Sequence, residues 1–430
     1  MKTKRTLLSS LLILAGITPC VSQTATLQDI DNHESGGNYY SYPWMIETPP
    51  ELTPTPEGYM PYHIEHYGRH GSRWHIGDYN YEKPYQILSK AKEDGKLTPL
   101  GEEILETVIL TRDEFLKGRD GELSDKGAVQ HFVIGERMAK NFPDVLNPIA
   151  DVDAKSTVVI RCILSMQNSL KGIQSRVPNL KVKTDASHAD MWYMNYDDSV
   201  AWKVEAEARE AYLKPFLERH KNKGEYLSKI INDPVYASDS IGESLANPLF
   251  ALLVNSQSHF SQPWLLEKVF TDDEIKERWM GRNANWFLQS GNSKLTGGIM
   301  PFKQRNLLLN IIESADTALM TSKPSANLRY GHDSVVLPLS CLMEINNFGE
   351  EINDLEELAD KGWHDYLVIP MGANIQMIFY RPVGENYSVD DVLVKVLLNE
   401  QEVSLPVNNY SGPYYKWKDL KNYYLSKLGV

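Results

Sequence analysis

Apolar residues recur along this chain with two different periods, and the switch between them divides it. Residues 62–67 read as a first strand running into a glycine-flanked loop at 68–71. Residues 97–101 (Leu-Thr-Pro-Leu-Gly) open an amphipathic helix that continues through Phe115, with Thr98 placed to cap it and Pro99 in its first turn. A second helix opens at 123–127, and Val129, Phe132, Val133 and Met138 follow near helical period. Residues 157–163 are β-branched and apolar enough for a buried strand, with Arg161 set inside it.

From about Asp197 the pattern changes. Residues 197–223, 240–257, 271–289 and 301–319 all predict helix, with few strand signals between them. Strand character returns at 328–330, 366–370, 375–381 and 392–398, and a helix over 415–427 closes the chain. Strands and helices alternating on both sides of a helical block predict an α/β fold: a three-layer sandwich core with a mixed, mostly parallel sheet and an inserted α-helical cap domain. The expected divisions are a signal peptide at 1–22, an extended lead-in at 23–57, core at 58–196, cap at 197–322 and core again at 323–430. The lead-in is polar and rich in turn formers, and Asp31-Asn32-His33-Glu34 is read as part of it.

The first residues bear on localisation. Lys2, Lys4 and Arg5 precede an apolar stretch at 6–17 that is too short to span a bilayer, and Pro19 and small residues follow. This reads as a secretory leader, so the expectation is an exported protein, periplasmic or secreted, with no membrane segment after cleavage. Cys20 would suit a lipoprotein only poorly, because Pro19 stands where a small residue is expected.

Loss of three cations with the leader deepens the net charge from −13 to −16. So acidic a chain lacks the broad basic surface that nucleic acid needs, and any anion site must be a local cluster of cations. Only Cys162 and Cys341 follow the leader, too few for a disulfide framework. One bridge or two separate thiols both remain open from sequence.

The candidate chemistry centres on Tyr67-Gly68-Arg69-His70-Gly71-Ser72-Arg73. Phosphoryl transfer needs a nucleophile in line with the leaving oxygen and fixed positive donors around the equatorial oxygens. A neutral imidazole serves the first need, and arginine's planar fork serves the second.

Arg69-His70-Gly71-x-Arg73 is similar to the signature of the histidine phosphatase superfamily. Gly331-His332-Asp333, placed after the helical block, resembles the second half of the catalytic pair in its acid phosphatase and phytase branch. The stretch 156–166 around Arg161 looks like the family's middle strand, and weaker echoes lie at 123–127 with Gln130-His131 and at 370–374. The outline is closest to multiple inositol-polyphosphate phosphatases. The resemblance implies His70 as nucleophile, Arg69, Arg73, Arg161 and His332 as phosphate ligands, and Asp333 as general acid. It implies no cofactor and a small phosphorylated substrate, inositol polyphosphates or sugar phosphates.

Two departures qualify it. Trp74-His75 replaces the family's usual proline and threonine, and His-Asp replaces the His-Ala-Glu usual in inositol-polyphosphate phosphatases. A metal site built on His63, His66, His70 and His75 lacks a completing carboxylate or cysteine, and His63 and His66 fall on opposite strand faces. A phosphoglycerate-mutase-like phosphotransferase shares the Arg-His-Gly start, but export and the His-Asp pair argue against it. An exported, non-catalytic ligand-binding protein would not need both halves of the pair.

Overall fold

The computed structural model describes residues 30–45, 48–221, 224–384 and 387–430; the expected leader, with Cys20, lies outside them. One sheet organises the molecule. Its strands are β1 (Tyr59–Arg69), β2 (Asp151–Ser156), β3 (Val182–Asp185), β4 (Ser325–Gly331), β5 (Asn374–Pro382), β6 (Leu393–Leu398), β7 (Gln401–Glu402) and β8 (Tyr415–Lys416). The order is β3-β2-β4-β1-β5-β6-β7, with β8 on β6. The class is α/β, and the sheet is mixed. Parallel pairing is confined to β3-β2-β4-β1, while β5, β6, β7 and β8 pair antiparallel.

Alternate strand residues feed two different layers, as the pleat requires. On one face Ile64, Val152, Ala154, Ala326, Leu328, Ile378 and Tyr380 pack with Met138, Met166, Leu170 and Ile173. Those last four belong to α3 (Asp125–Asn141) and α4 (Ile160–Arg176). On the other face Ile375, Met377, Phe379, Val394 and Val396 meet α7 (Arg305–Leu319), α8 (Asp333–Leu342) and α9 (Trp417–Leu428). Each fully buried aliphatic side chain here contributes about 1.5–3 kcal/mol. A separate core joins α1 (Tyr79–Glu93) and α2 (Pro99–Phe115) to α5 (Ala246–Asn255) and to Ile275 of α6 (Asp272–Ser290). Helix α7, counted with the cap by pattern, lies against the sheet itself and shares its core. Among the described residues no helix is long and apolar enough to cross a membrane.

Thr98 caps α2 as expected, accepting from the Gly101 N–H at 3.0 Å. Four expectations need correction. Residues 157–163 are not a strand: β2 stops at Ser156, and Arg161 stands in the first turn of α4. The apolar spacing Cys162, Met166, Leu170, Ile173 is helical and outweighs the β-branched start. Residues 366–370 are likewise no strand but the end of a short helix, Asp365–Val368, and the turn after it.

On α3, Val129 and Phe132 are exposed, and Gln130, His131, Ile134, Gly135 and Met138 face inward. The cause is close packing between α3 and α4. A Cβ on Gly135 would stand 2.1 Å from the Ser169 carbonyl, and one on Gly172 2.0 Å from that of Phe132. The lead-in is the fourth correction. It is not simply extended: Glu34–Tyr39 forms tight helical turns with Ser35, Gly36, Gly37 and Asn38 buried. Cys162 and Cys341 are both free and buried.

Candidate active site

Parallel strands β1 and β4 lie side by side, with Arg69 opposite Gly331, and their carboxyl ends open into one crevice. His70 leaves the end of β1, and His332 and Asp333 leave the end of β4. The first turns of α4 and α8 converge there, carrying Arg161 and Asp333. Two helix N-termini therefore add their partial positive charge to a site already rich in cations. All six residues singled out from the sequence meet at this point. Arg69, Arg73, Arg161 and His332 each depress the pKa of His70 by their proximity, after burial itself.

His70 is fully buried and its Nδ1 lies 2.9 Å from the Gly71 carbonyl. A carbonyl can only accept, so Nδ1 carries the hydrogen and the Nε2 lone pair is left free. Burial first, and then the guanidiniums of Arg69, Arg73 and Arg161, hold its pKa well below the usual imidazole range, which keeps that lone pair unprotonated. The rings of His70 and His332 are 5.9 Å apart, edge to face. His332 is hydrogen-bonded through Nε2 to Thr157 Oγ1 at 3.2 Å, and burial and Arg161 bring its pKa down to about 4.

Arg69 is the anchor. Its Nη1 donates to the carbonyls of Asn38 and Ile369, both at 2.6 Å, and its Nη2 stands 2.8 Å from Asp333 Oδ2. Burial lowers its pKa to about 10, which leaves it charged at any working pH. Burial acts to raise the pKa of Asp333, but Arg69 and Arg73 outweigh it and hold the carboxyl down to about 2. Beside these arginines Asp333 is thus a carboxylate. Arg73 and Arg161 each keep a buried Nε without a partner in the described residues. Guanidinium donors without partners, grouped about His70, suit a dianion.

The loop is held from behind by residues the sequence marked only as weak echoes. The Gly372 N–H donates to the His70 carbonyl at 3.0 Å, with Gly372 at φ +81, where glycine is favoured. Gln130 Oε1 accepts from the Ser72 N–H at 2.8 Å, and His131 Nε2 donates to the Arg69 carbonyl at 3.0 Å. Ser165 Oγ accepts from the Gly71 N–H at 3.1 Å. Gly71 is required by space, since a Cβ there would stand 2.4 Å from the Gly127 carbonyl.

Trp74 and His75 belong to the wall. His75 Nε2 donates to the Ala251 carbonyl at 3.1 Å, and Nδ1 accepts from the Tyr39 hydroxyl at 3.0 Å. Sequence reasoning missed Asn38, Tyr39 and Arg282. Asn38 donates to Asp333 Oδ2 at 3.2 Å, and Arg282 Nη2 donates to Asn38 Oδ1 at 2.7 Å. Their only signal was the Gly36-Gly37 pair, which allows tight backbone packing as readily as a turn. Tyr39 and Arg282 also line a cavity of about 1140 Å³ between helices, with Tyr226, Asn247, Arg278 and Asn285.

By sequence, no protein-family model and no curated protein matches the chain. Solved structures match its fold along nearly their whole length. A multiple inositol polyphosphate phosphatase from Bifidobacterium longum, in complex with inositol hexasulfate, superposes with a TM-score of 0.70 at 16% identity, covering 90% of this chain and 97% of that one. A phytase from D. castellii gives 0.66 at 14% identity, over 97% and 88% of the two chains. A Hafnia alvei phytase in complex with myo-inositol hexakis sulphate gives 0.52 at 12%, over 87% and 98%. The chain has the fold of these phosphatases and phytases.

Proposed function

We propose that this chain, built on the fold of inositol-polyphosphate phosphatases and phytases, is an exported histidine acid phosphatase. It hydrolyses phosphomonoesters through a phosphohistidine on His70, with inositol polyphosphates or sugar phosphates as substrates. The observation that carries the reading is the fixed tautomer of His70: Nδ1 is committed to the Gly71 carbonyl, and Nε2 is free among three guanidiniums. The leader-like first residues support export.

Arg69, Arg73, Arg161 and His332 bind the phosphoryl oxygens and take up their charge in the transition state. His70 Nε2 attacks phosphorus while the bond to the ester oxygen breaks, and Asp333 protonates that oxygen as it leaves. Arg69 and Arg73 keep Asp333 ionised, so the proton must be gained on binding. A phosphate dianion among the same guanidiniums cancels the attraction that holds the carboxyl at about 2, and Asp333 takes up a proton as the substrate settles. Water then attacks the phosphohistidine, gives its proton back to Asp333, and phosphate and free His70 result. No metal or cofactor enters these steps, because the protein's own cations meet the charge.

The deciding experiment is phosphate release by the purified chain, with chelator present, from phytate, a sugar phosphate and an aryl phosphate. Release from at least one ester is expected. No release from any of them overturns the reading.

A further inference from the structure

We propose that Arg282 is a positioning residue that sets the general acid by orienting the side-chain amide of Asn38. The inference rests on the phosphomonoesterase reading and adds to it. Three contacts converge on Asn38. Its carbonyl accepts from Arg69 Nη1 at 2.6 Å, its Nδ2 donates to Asp333 Oδ2 at 3.2 Å, and its Oδ1 accepts from Arg282 Nη2 at 2.7 Å.

A side-chain amide is nearly symmetric in shape and opposite in polarity at its two ends. A guanidinium has donors only, so it forces Oδ1 toward itself and leaves the NH2 for Asp333. Arg282 is itself confined. Its guanidinium stands 4.9 Å from the Tyr39 ring centroid, and the same ring faces Arg73 at 5.6 Å. The charged and titratable groups acting on Arg282 are Tyr39 and Asp365. The backbone beside Asn38 has little freedom, because Gly37 sits at φ +57 with room for no Cβ against Asp365 Oδ2.

Without the Arg282 donor the amide is free to turn over. Its oxygen then faces protonated Asp333 and accepts the hydrogen bond meant for the departing ester oxygen. The acid is still present and still buried, but its proton points the wrong way. Esters with a basic leaving group suffer most, because only they need that proton.

Arg282 also lines the neighbouring cavity, so the rival role is binding a distal anion of the substrate. Arg282→Met separates the two when kcat and KM are measured for glycerol 2-phosphate and 4-nitrophenyl phosphate, each with a single phosphate. The expected loss of kcat on the alkyl ester exceeds that on the aryl ester by at least about tenfold, with KM of both within about twofold. Arg282→Lys, which keeps a donor-only head group, should restore most of the difference.

In an Asn38→Leu background, where no amide remains to turn over, Arg282→Met should add no further alkyl-specific loss. Arg282→Gln, whose head group can accept as well as donate and so no longer fixes the amide, carries the test if Arg282→Met fails to fold. Equal losses on both esters, a rise in KM at constant kcat, or full additivity in the double variant each overturn the relay. A wild-type protein that releases phosphate from neither ester fails the phosphatase reading instead.

Discussion

Asp333 Oδ2 lies 2.8 Å from Nη2 of Arg69, the residue immediately before His70 in the chain. The group that is to donate a proton is therefore held by the neighbour of the group that is to attack. Both of its oxygens have partners, since Oδ1 also accepts from the Ser334 N–H at 2.9 Å. Asp333 is placed by contacts that favour its charged form, and on the proposed mechanism it becomes an acid when a substrate anion competes for the arginine.

Asp333→Asn keeps the size and polarity of the side chain and removes the proton. Hydrolysis of inositol or sugar phosphates should fall by about 10²–10⁴-fold, while an activated aryl phosphate should be largely spared. A series of leaving groups of rising pKa checks this, with the deficit growing along it. Equal losses across the series would mean the donor lies elsewhere. His75 is then a poor substitute, because both of its ring nitrogens are already engaged.

His70→Ala should abolish turnover and leave the fold intact, because the ring's own hydrogen bond goes only to the adjacent Gly71 carbonyl. Rapid acid quench of the wild type with a labelled ester should trap acid-labile phosphate on protein, and the variant should trap none. Substantial residual activity in the variant would sink the covalent route.

Activity should survive chelation. The positive charge at the phosphoryl group is supplied by Arg69, Arg73 and Arg161, with His332 beside them as a neutral ligand. Activity lost in chelator and restored by one divalent ion would count against this.

Stability should fall as the solution is acidified, in two stages. His66, His75, His131 and His332 are held down to about 3, 3, 4 and 4, burial being the first cause in each. The unfolded chain protonates them near 6.5, so it binds more protons than the folded one as pH drops from there toward 4, and folded stability drops with it. For Glu65 and Asp333 burial acts upward, but Arg329 and Arg69 respectively outweigh it and hold each at about 2. Their contribution is present above the ordinary carboxylate range and is lost only as pH falls toward 2. Melting curves between pH 7 and 4 should show a declining Tm, and inorganic phosphate at a hundred times its Kd should return about 2.7 kcal/mol. A Tm that is flat or rises over that window contradicts the assignment of buried neutral imidazoles.

Much of this site was legible because its residues are contiguous in short motifs. Arg69-His70-Gly71-x-Arg73 and His332-Asp333 each sit where a strand ends, and a local reading finds both. Asn38 and Arg282 were not legible, because their roles depend on packing across 244 residues of chain. Arg161 was found through the family resemblance but placed on the wrong element, since four β-branched or apolar residues precede it and the helical spacing begins only at Cys162. The inward face of α3 was misjudged for a different reason. Glycines let two helices touch backbone to backbone, and polar Gln130 and His131 are needed on that side to hold the His70 loop.

The place of β4 in the sheet has a consequence for how the protein is made. It lies between β2 and β1, pairing with both, yet Ser325 follows His63 by 262 residues. A chain that has emerged only as far as α7 holds two parallel strands with a gap between them, each offering an unpaired edge to any extended segment nearby. Pairing of β4 between β2 and β1 is a long-range closure, of the kind that makes sheets slow to fold and prone to stray association. The same insertion delivers His332 and Asp333 beside His70. On the proposed mechanism, the strand that completes the parallel half of the sheet is therefore also the one that completes the catalytic group.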